Sequence, residues 1–278
     1  MPLTDREKRT LQDIRDWEHT LINYEATDLE ATVEKYLEQS FSLLPELTQQ
    51  QFFSLIDTWL FHLNGIIQGS QLQTEAKNRI LSLGRTIGTP DIEEIQDLRK
   101  LTLDQVQYIA EQQVTRHRMY SLFQGGLSGT GNALLLGADI PAMAVINLKV
   151  VQLIAMSFGV DTRIPFEMMT SLKVFHTATL PRRLQKQGWF SLMEELKDGE
   201  HAYFYEGKEE LTDISWLEQP IKQMMKSITL IYFKNKKIQG IPLLGMAVGA
   251  AVNYRLTRKV TELAMKYYQL RYLKAKEE

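Results

Sequence analysis

The residue types best suited to chemistry in this chain lie between Gly125 and Lys149. The run Gly126-Leu127-Ser128-Gly129-Thr130-Gly131-Asn132 has the glycine frame of a phosphate-binding loop. Such a loop needs a following Lys-Ser/Thr to hold phosphate oxygens and magnesium, and a strand in front of it. This run has no lysine, and the residues before it are spaced as a helix. A nucleophile elbow would need a glycine two residues after Ser128, where Thr130 stands. The five histidines (19, 62, 117, 176 and 201) show no zinc-ligand spacing, and there is no cysteine. We therefore assign no catalytic residue and expect no metal and no cofactor.

Asp139 is the one carboxylate in an apolar stretch, a costly place unless it is paired or hydrogen-bonded. Standing before Ile140-Pro141, it suits an N-cap, with the proline in the first turn of the next helix. A salt bridge to Lys149 or to an arginine of the last helix is a second reading. A third is an acid/base pair with Lys149 in a lipid-binding or lipid-modifying hydrolase.

The second apolar segment begins at Pro242 and carries Gly245-xxx-Gly249 and then Asn253. Small residues four apart let helix backbones approach closely, in lipid or in a protein core. A bilayer span takes about 17–25 apolar residues. Residues 238–254 reach only the lower edge and contain Pro242 and Asn253, while Asp139 and Lys149 interrupt 133–160. Buried central helices are expected, with a shallow membrane hairpin as the alternative.

The elements that must position these segments read as helices. Thr4 and Glu7 make a capping box before the periodic Leu11, Ile14, Trp17 and Leu21. Helices follow over about 28–41, 52–67 and 74–86, with Gly88-Thr89-Pro90-Asp91 as a stop and a new cap. Thr102 caps a longer helix that Gly125-Gly126 should end. Asp139-Ile140-Pro141 should split the next stretch into helices at 131–137 and 140–158. Further helices are expected at 165–179, around Gly188 to Leu196, and at 215–233. The segment 198–213 reads as a hairpin or a surface loop, and a last helix runs from Pro242 to the C-terminus. Alternating β-branched stretches are few, so strands should be rare. The fold class is all-α, a multi-helix bundle centred on the two glycine-rich apolar segments. Residues 1–100 form an N-terminal helical region and residues 101–278 the core, in one compact unit.

The chain has 278 residues, 44% of them hydrophobic, and a formal net charge of −2. That balance hides a polarity. Residues 1–60 hold twelve acids against five bases; residues 222–276 hold twelve bases against Glu262 alone. Lys234, Lys236 and Lys237 precede the second apolar segment, and Arg255, Arg258 and Lys259 follow its core. Bases flanking an apolar helix suit an anionic phospholipid surface, each gaining about 1 kcal/mol near it. No nucleic acid is expected, because aromatic stacking platforms do not interleave with the bases. The absence of cysteine fits a reducing compartment, and the charged start Thr4-Asp5-Arg6-Glu7-Lys8 is unlike a signal peptide. A cytoplasmic protein, peripheral to the inner face of the membrane, is expected.

These residues also carry a resemblance. Gln124-Gly125-Gly126-x-Ser128-Gly129-x-Gly131, Ala138-Asp139-Ile140-Pro141, Leu148-Lys149 and Phe158-Gly159-Val160-Asp161 follow one another as in the central signature of the EcsC family. Pro242-Leu243-Leu244-Gly245-x3-Gly249-x3-Asn253 and Tyr267-Tyr268-x2-Arg271 resemble its C-terminal motif, and Asp16-Trp17-Glu18 its opening. Gln124 stands where the pattern has glutamate, so no role that needs a carboxylate is carried over to it. The resemblance implies a bacterial protein linked to the Ecs ABC exporter and to processes touching secretion and intramembrane proteolysis. It implies partners among transporter subunits or other membrane proteins, and no established enzymatic activity.

Overall fold

The computed structural model describes residues 2–25, 28, 65, 67–128, 133–180, 182–198 and 242–277, with the backbone alone at 72, 124–128, 133–142, 183, 197–198, 242–249 and 252. The expected helices at 28–41, 52–67 and 215–233 and the segment 198–213 lie wholly or almost wholly outside them. Within the described residues the chain is all-helical, with no strand. The helices are α1 (Asp5–Ile22), α2 (Gln71–Ile87), a 3-10 helix (Ile95–Lys100), α3 (Leu103–Ser128), α4 (Ala133–Ser157), α5 (Pro165–Thr179), α6 (Arg182–Asp198) and α7 (Pro242–Glu277).

Local chemistry sets most of the boundaries. The Thr4 hydroxyl accepts from the Glu7 amide while the Glu7 carboxylate takes the Thr4 amide at 2.8 Å, the reciprocal box expected for α1. Thr102 and Gln105 repeat the arrangement ahead of α3, with glutamine as the reaching side chain. Ser70 caps α2, and Pro165 opens α5, where its missing N–H costs nothing. α4 ends at Gly159, the residue with φ of +77°, which the left-handed helix exit favours. A Cβ there would stand 2.5 Å from Cγ of Arg99 and 3.0 Å from its backbone nitrogen.

Two expected breaks are not breaks. α3 continues through Gly125-Gly126 to Ser128, and α4 is one helix through Asp139-Ile140-Pro141. Glycine in a helix costs only about 1 kcal/mol against alanine, which neighbouring helices can offset. Proline removes one intrahelical bond, and the surrounding apolar turns of α4 carry the helix past it. Asp139 is therefore inside a helix rather than at an N-cap.

α3, α4 and α7 are the mutually packed centre, and α5 lies against both α4 and α7. α4 is predominantly apolar, and Val150, Val151, Leu153, Ile154 and Ala155 are fully buried. Such a helix belongs in the interior. α7 is buried most continuously from Asn253 to Leu273, whereas Ala251 is exposed. The centre therefore includes α7 as far as Leu273, well beyond its glycine-rich segment. α1 packs on α6 and α7, and α2 on α3 and α4. One hydrophobic cluster runs from Ile14 to Leu273. Within it an aromatic series crosses three helices and reaches the exit of α4, from Trp17 to Trp189 (centroids 4.9 Å apart), Tyr267, Tyr268 and Phe158.

Candidate functional site

The packing of α3 against α7 decides which motifs meet. Gln107 is hydrogen-bonded to Gln269, and Arg118 donates to the Thr261 hydroxyl at 2.7 and 3.1 Å. As the residue number rises on α3 it falls on α7, so the two helices are antiparallel. That register sets Asn253 level with Gly125-Gly126 and Gly249 level with the end of α3. The four residues 129–132 bring the start of α4 to the same end. Gly125, Gly126, Gly249 and Asn253, far apart in sequence, thus lie level at one end of the three-helix centre, with Asp139 and Pro141 in the first turns of α4 and with Gly245 and Pro242 further toward the N-terminus of α7. Gly129 and Gly131 lie outside the described residues.

Beneath this end the interior is polar but uncharged. Asn253 and Thr257 of α7, Asn147 of α4, and Gln113, His117 and Ser121 of α3 are all buried. The Asn147 amide donates to the Met143 carbonyl at 2.8 Å. Asn147 Oδ1, Asn253 Nδ2, Thr257 Oγ1 and Gln113 Oε1 have no hydrogen-bond partner among the described residues. His117 Nδ1 meets the Gln113 carbonyl at 3.0 Å. Burial, with the nearby charges of Lys149, Arg116 and Arg79 adding, holds its pKa down to about 4. Amides and a neutral imidazole can hydrogen-bond to a polar group. They supply no strong acid, base or nucleophile.

Lys149 does not belong to that end. It lies ten residues beyond Asp139 on the same continuous helix, about 15 Å further along its axis. That separation rules out both the direct salt bridge and the acid/base pair between them. The Lys149 ammonium is half-buried, and desolvation and Arg79 lower its pKa while Glu75 opposes them. No group of three or more His, Asp or Glu side chains suited to a metal occurs among the described residues.

The basic positions also separate. Arg255 and Arg258 are exposed on α7, level with residues 118–124 of α3. There the α3 surface carries Met119, Tyr120 and Phe123, which are 47%, 50% and 67% exposed. Lys259 turns inward instead: its ammonium donates to the Leu180 carbonyl at 2.6 Å, at the end of α5. Burial, aided by Arg182, brings its pKa down to about 8. Lys259 therefore caps α5 rather than joining an outer basic face. Lys234, Lys236 and Lys237 lie outside the described residues. Among those residues no helix is long and apolar enough to cross a membrane.

At the opposite end of α7 is a feature the sequence reading did not isolate, a cleft of about 640 Å³. Its walls come from the 3-10 helix, the start of α3, the exit of α4 and the last turns of α7. The signal was present in Phe158-Gly159 and Tyr267-Tyr268-x2-Arg271, two motifs whose meeting only the antiparallel packing reveals. Arg271 grips Glu167 of α5 with both arms at 2.5 Å, and Lys276 bonds Glu7 of α1 at 2.6 Å.

This all-helical bundle, with its glycine-rich motifs gathered at one end, belongs to the EcsC protein family, whose model matches residues 8–273. The chain is similar to the uncharacterized protein YdbA of Bacillus subtilis (strain 168), 26% identical over 239 residues that cover 86% of this chain and 84% of that protein. No solved structure matches it.

Proposed function

We propose that this chain is a non-catalytic accessory protein that docks reversibly on the cytoplasmic face of the membrane through its glycine-rich end. There it would act beside a membrane protein, an ABC exporter being the partner the family resemblance implies. One observation carries the reading: Met119, Tyr120 and Phe123 are exposed on α3 at the level of the exposed Arg255 and Arg258 on α7. Aromatic rings favour the bilayer interface, and each arginine gains about 1 kcal/mol near anionic lipid. Lys234, Lys236 and Lys237, which precede Pro242 in the chain, would add to that attraction. The sum suits attachment that salt reverses. The uncharged interior below this end and the separation of Asp139 from Lys149 support the non-catalytic part.

Vesicle flotation tests it. Wild type should float with vesicles containing phosphatidylglycerol, release in 0.5 M salt (about a twofold shorter Debye length than in physiological buffer), and ignore neutral vesicles. Phe123→Ser with Arg255→Glu, and separately the change of Lys234, Lys236 and Lys237 to glutamate, should each abolish flotation with the fold intact by circular dichroism. Binding that survives both sets of changes would overturn the docking surface. A pull-down in mild detergent that recovers no transporter subunit would count against the partner.

A further inference from the structure

The cleft at the far end of α7 is lined by cations, yet most of them are already engaged. Arg271 is held by Glu167, Lys276 by Glu7, and Lys100 by Asp97 and Asp91. The Tyr272 hydroxyl donates to the Leu101 carbonyl at 2.7 Å, and the Thr102 hydroxyl is committed to its capping box. Two donors remain. Arg99 uses only Nε, which donates to the Gly159 carbonyl at 3.0 Å, and its guanidinium meets no carboxylate among the described residues. The Tyr268 hydroxyl is fully buried and has no hydrogen-bond partner there. The apolar part of the lining comes from Leu101, Phe158, Val160, Tyr272 and Ala275, with the buried ring of Tyr268 stacked on Phe158 at 6.5 Å.

We propose that this cleft is a binding site for a singly charged amphiphilic anion, a carboxylate or phosphate head on an aromatic or aliphatic body. The volume falls within the roughly 300–1,000 Å³ of small-molecule sites, whose walls are mostly apolar with a few placed polar groups. One unpaired guanidinium matches one negative charge, since a second would face cations already neutralised by their own carboxylates. The planar guanidinium suits a carboxylate or phosphate, which it can meet in two-pronged fashion. The Tyr268 hydroxyl has no accessible surface in the empty protein, so it becomes a second donor only when the occupant displaces the side chains that cover it, and leaving it unpaired until then is itself costly. The Gly159 carbonyl tethers Arg99 at the α4 exit, and the absence of a Cβ at Gly159 lets the arginine lie there.

The probe is 1-anilinonaphthalene-8-sulfonate, an aromatic monoanion, titrated by fluorescence with calorimetric stoichiometry; N-phenyl-1-naphthylamine serves as its uncharged counterpart. Wild type should bind one equivalent of the anion and take up the neutral dye at least tenfold more weakly. Arg99→Met should weaken the anion at least tenfold and the neutral dye little. Tyr268→Phe should weaken it about fivefold, with unfolding midpoints reporting that the fold persists. Phe123→Ser, on the other apolar surface, should leave the affinity unchanged. Decanoate should compete if the occupant is a free acid, and phosphatidylglycerol vesicles should compete if it is a lipid head. Equal binding of both dyes, or anion affinity unmoved by Arg99→Met and Tyr268→Phe, would overturn the proposal.

Discussion

Arg271 on α7 and Glu167 in the first turn of α5 form an ion pair with two parallel arms of 2.5 Å, and both side chains are largely withdrawn from water. Burial opposes the arginine charge, but the bonds to Glu167 outweigh it and its pKa is raised. The pair fixes α5 against the most central helix. Breaking a buried pair leaves an uncompensated charge, at a cost of about 3–5 kcal/mol. Glu167→Ala should lose that much stability in urea unfolding, whereas Glu167→Met with Arg271→Met should lose distinctly less. Equal losses would mean that the pair acts through packing alone.

Gly159 is the second fixed point. Any other residue meets both a left-handed backbone, costing about 1–3 kcal/mol, and contact with Arg99. Gly159→Ala should lower stability by about 2–3 kcal/mol and loosen the α4 exit. Amide exchange at Phe158 to Val160 would then rise faster than exchange at Val150 to Ile154. Uniform loss of protection would contradict a local effect.

Trp189 joins α1 to α6. Its indole N–H donates to Glu18 at 2.7 Å, and its ring lies edge-on to Trp17 and Tyr267. Trp189→Ala should cost about 3–5 kcal/mol and remove the near-ultraviolet circular dichroism of the Trp17–Trp189 pair. Glu18→Ala should cost only about 1–3 kcal/mol, the loss of one bond to a buried donor. Thermal unfolding of the two variants orders these effects.

Acid should unfold the protein through two histidines. His117 and His176 are buried, and desolvation brings each pKa down to about 4. The unfolded chain takes up both protons near pH 6.5, the folded chain only near 4. Their contribution to stability is therefore complete above about 6.5 and is lost as the pH falls toward 4. The steepest combined slope is about 2.7 kcal/mol per pH unit for two protons. Urea midpoints measured from pH 7.5 to 4.5 should show it, and His117→Gln with His176→Gln should flatten it. A parallel decline in the double variant would place the effect on carboxylates such as Glu7.

How much was legible follows from the range of each interaction. Capping chemistry acts over three or four residues, so Thr4–Glu7 and Thr102 announced their helices directly. Breaks were over-read at Gly125-Gly126 and at Asp139-Ile140-Pro141 for the same reason. Propensity is local and costs about 1–3 kcal/mol there, while burial of the apolar residues of a predominantly apolar helix supplies more.

The sequence by itself determined the helical class, the apolar character of residues 133–160 and 238–254, and the family motifs, because these are matters of composition and of period. Only the tertiary structure decided that α3 and α7 run antiparallel. That single geometry carries Asn253 to the level of Gly125-Gly126 and parts Lys149 from Asp139. It also turns Lys259 inward to Leu180 while Arg255 and Arg258 stay outside. Contacts such as Arg271–Glu167 and Arg99–Gly159 span 104 and 60 positions of chain. No spacing rule reaches that far: such partners meet because apolar faces elsewhere on their helices are driven together, and the pairing is fixed by packing.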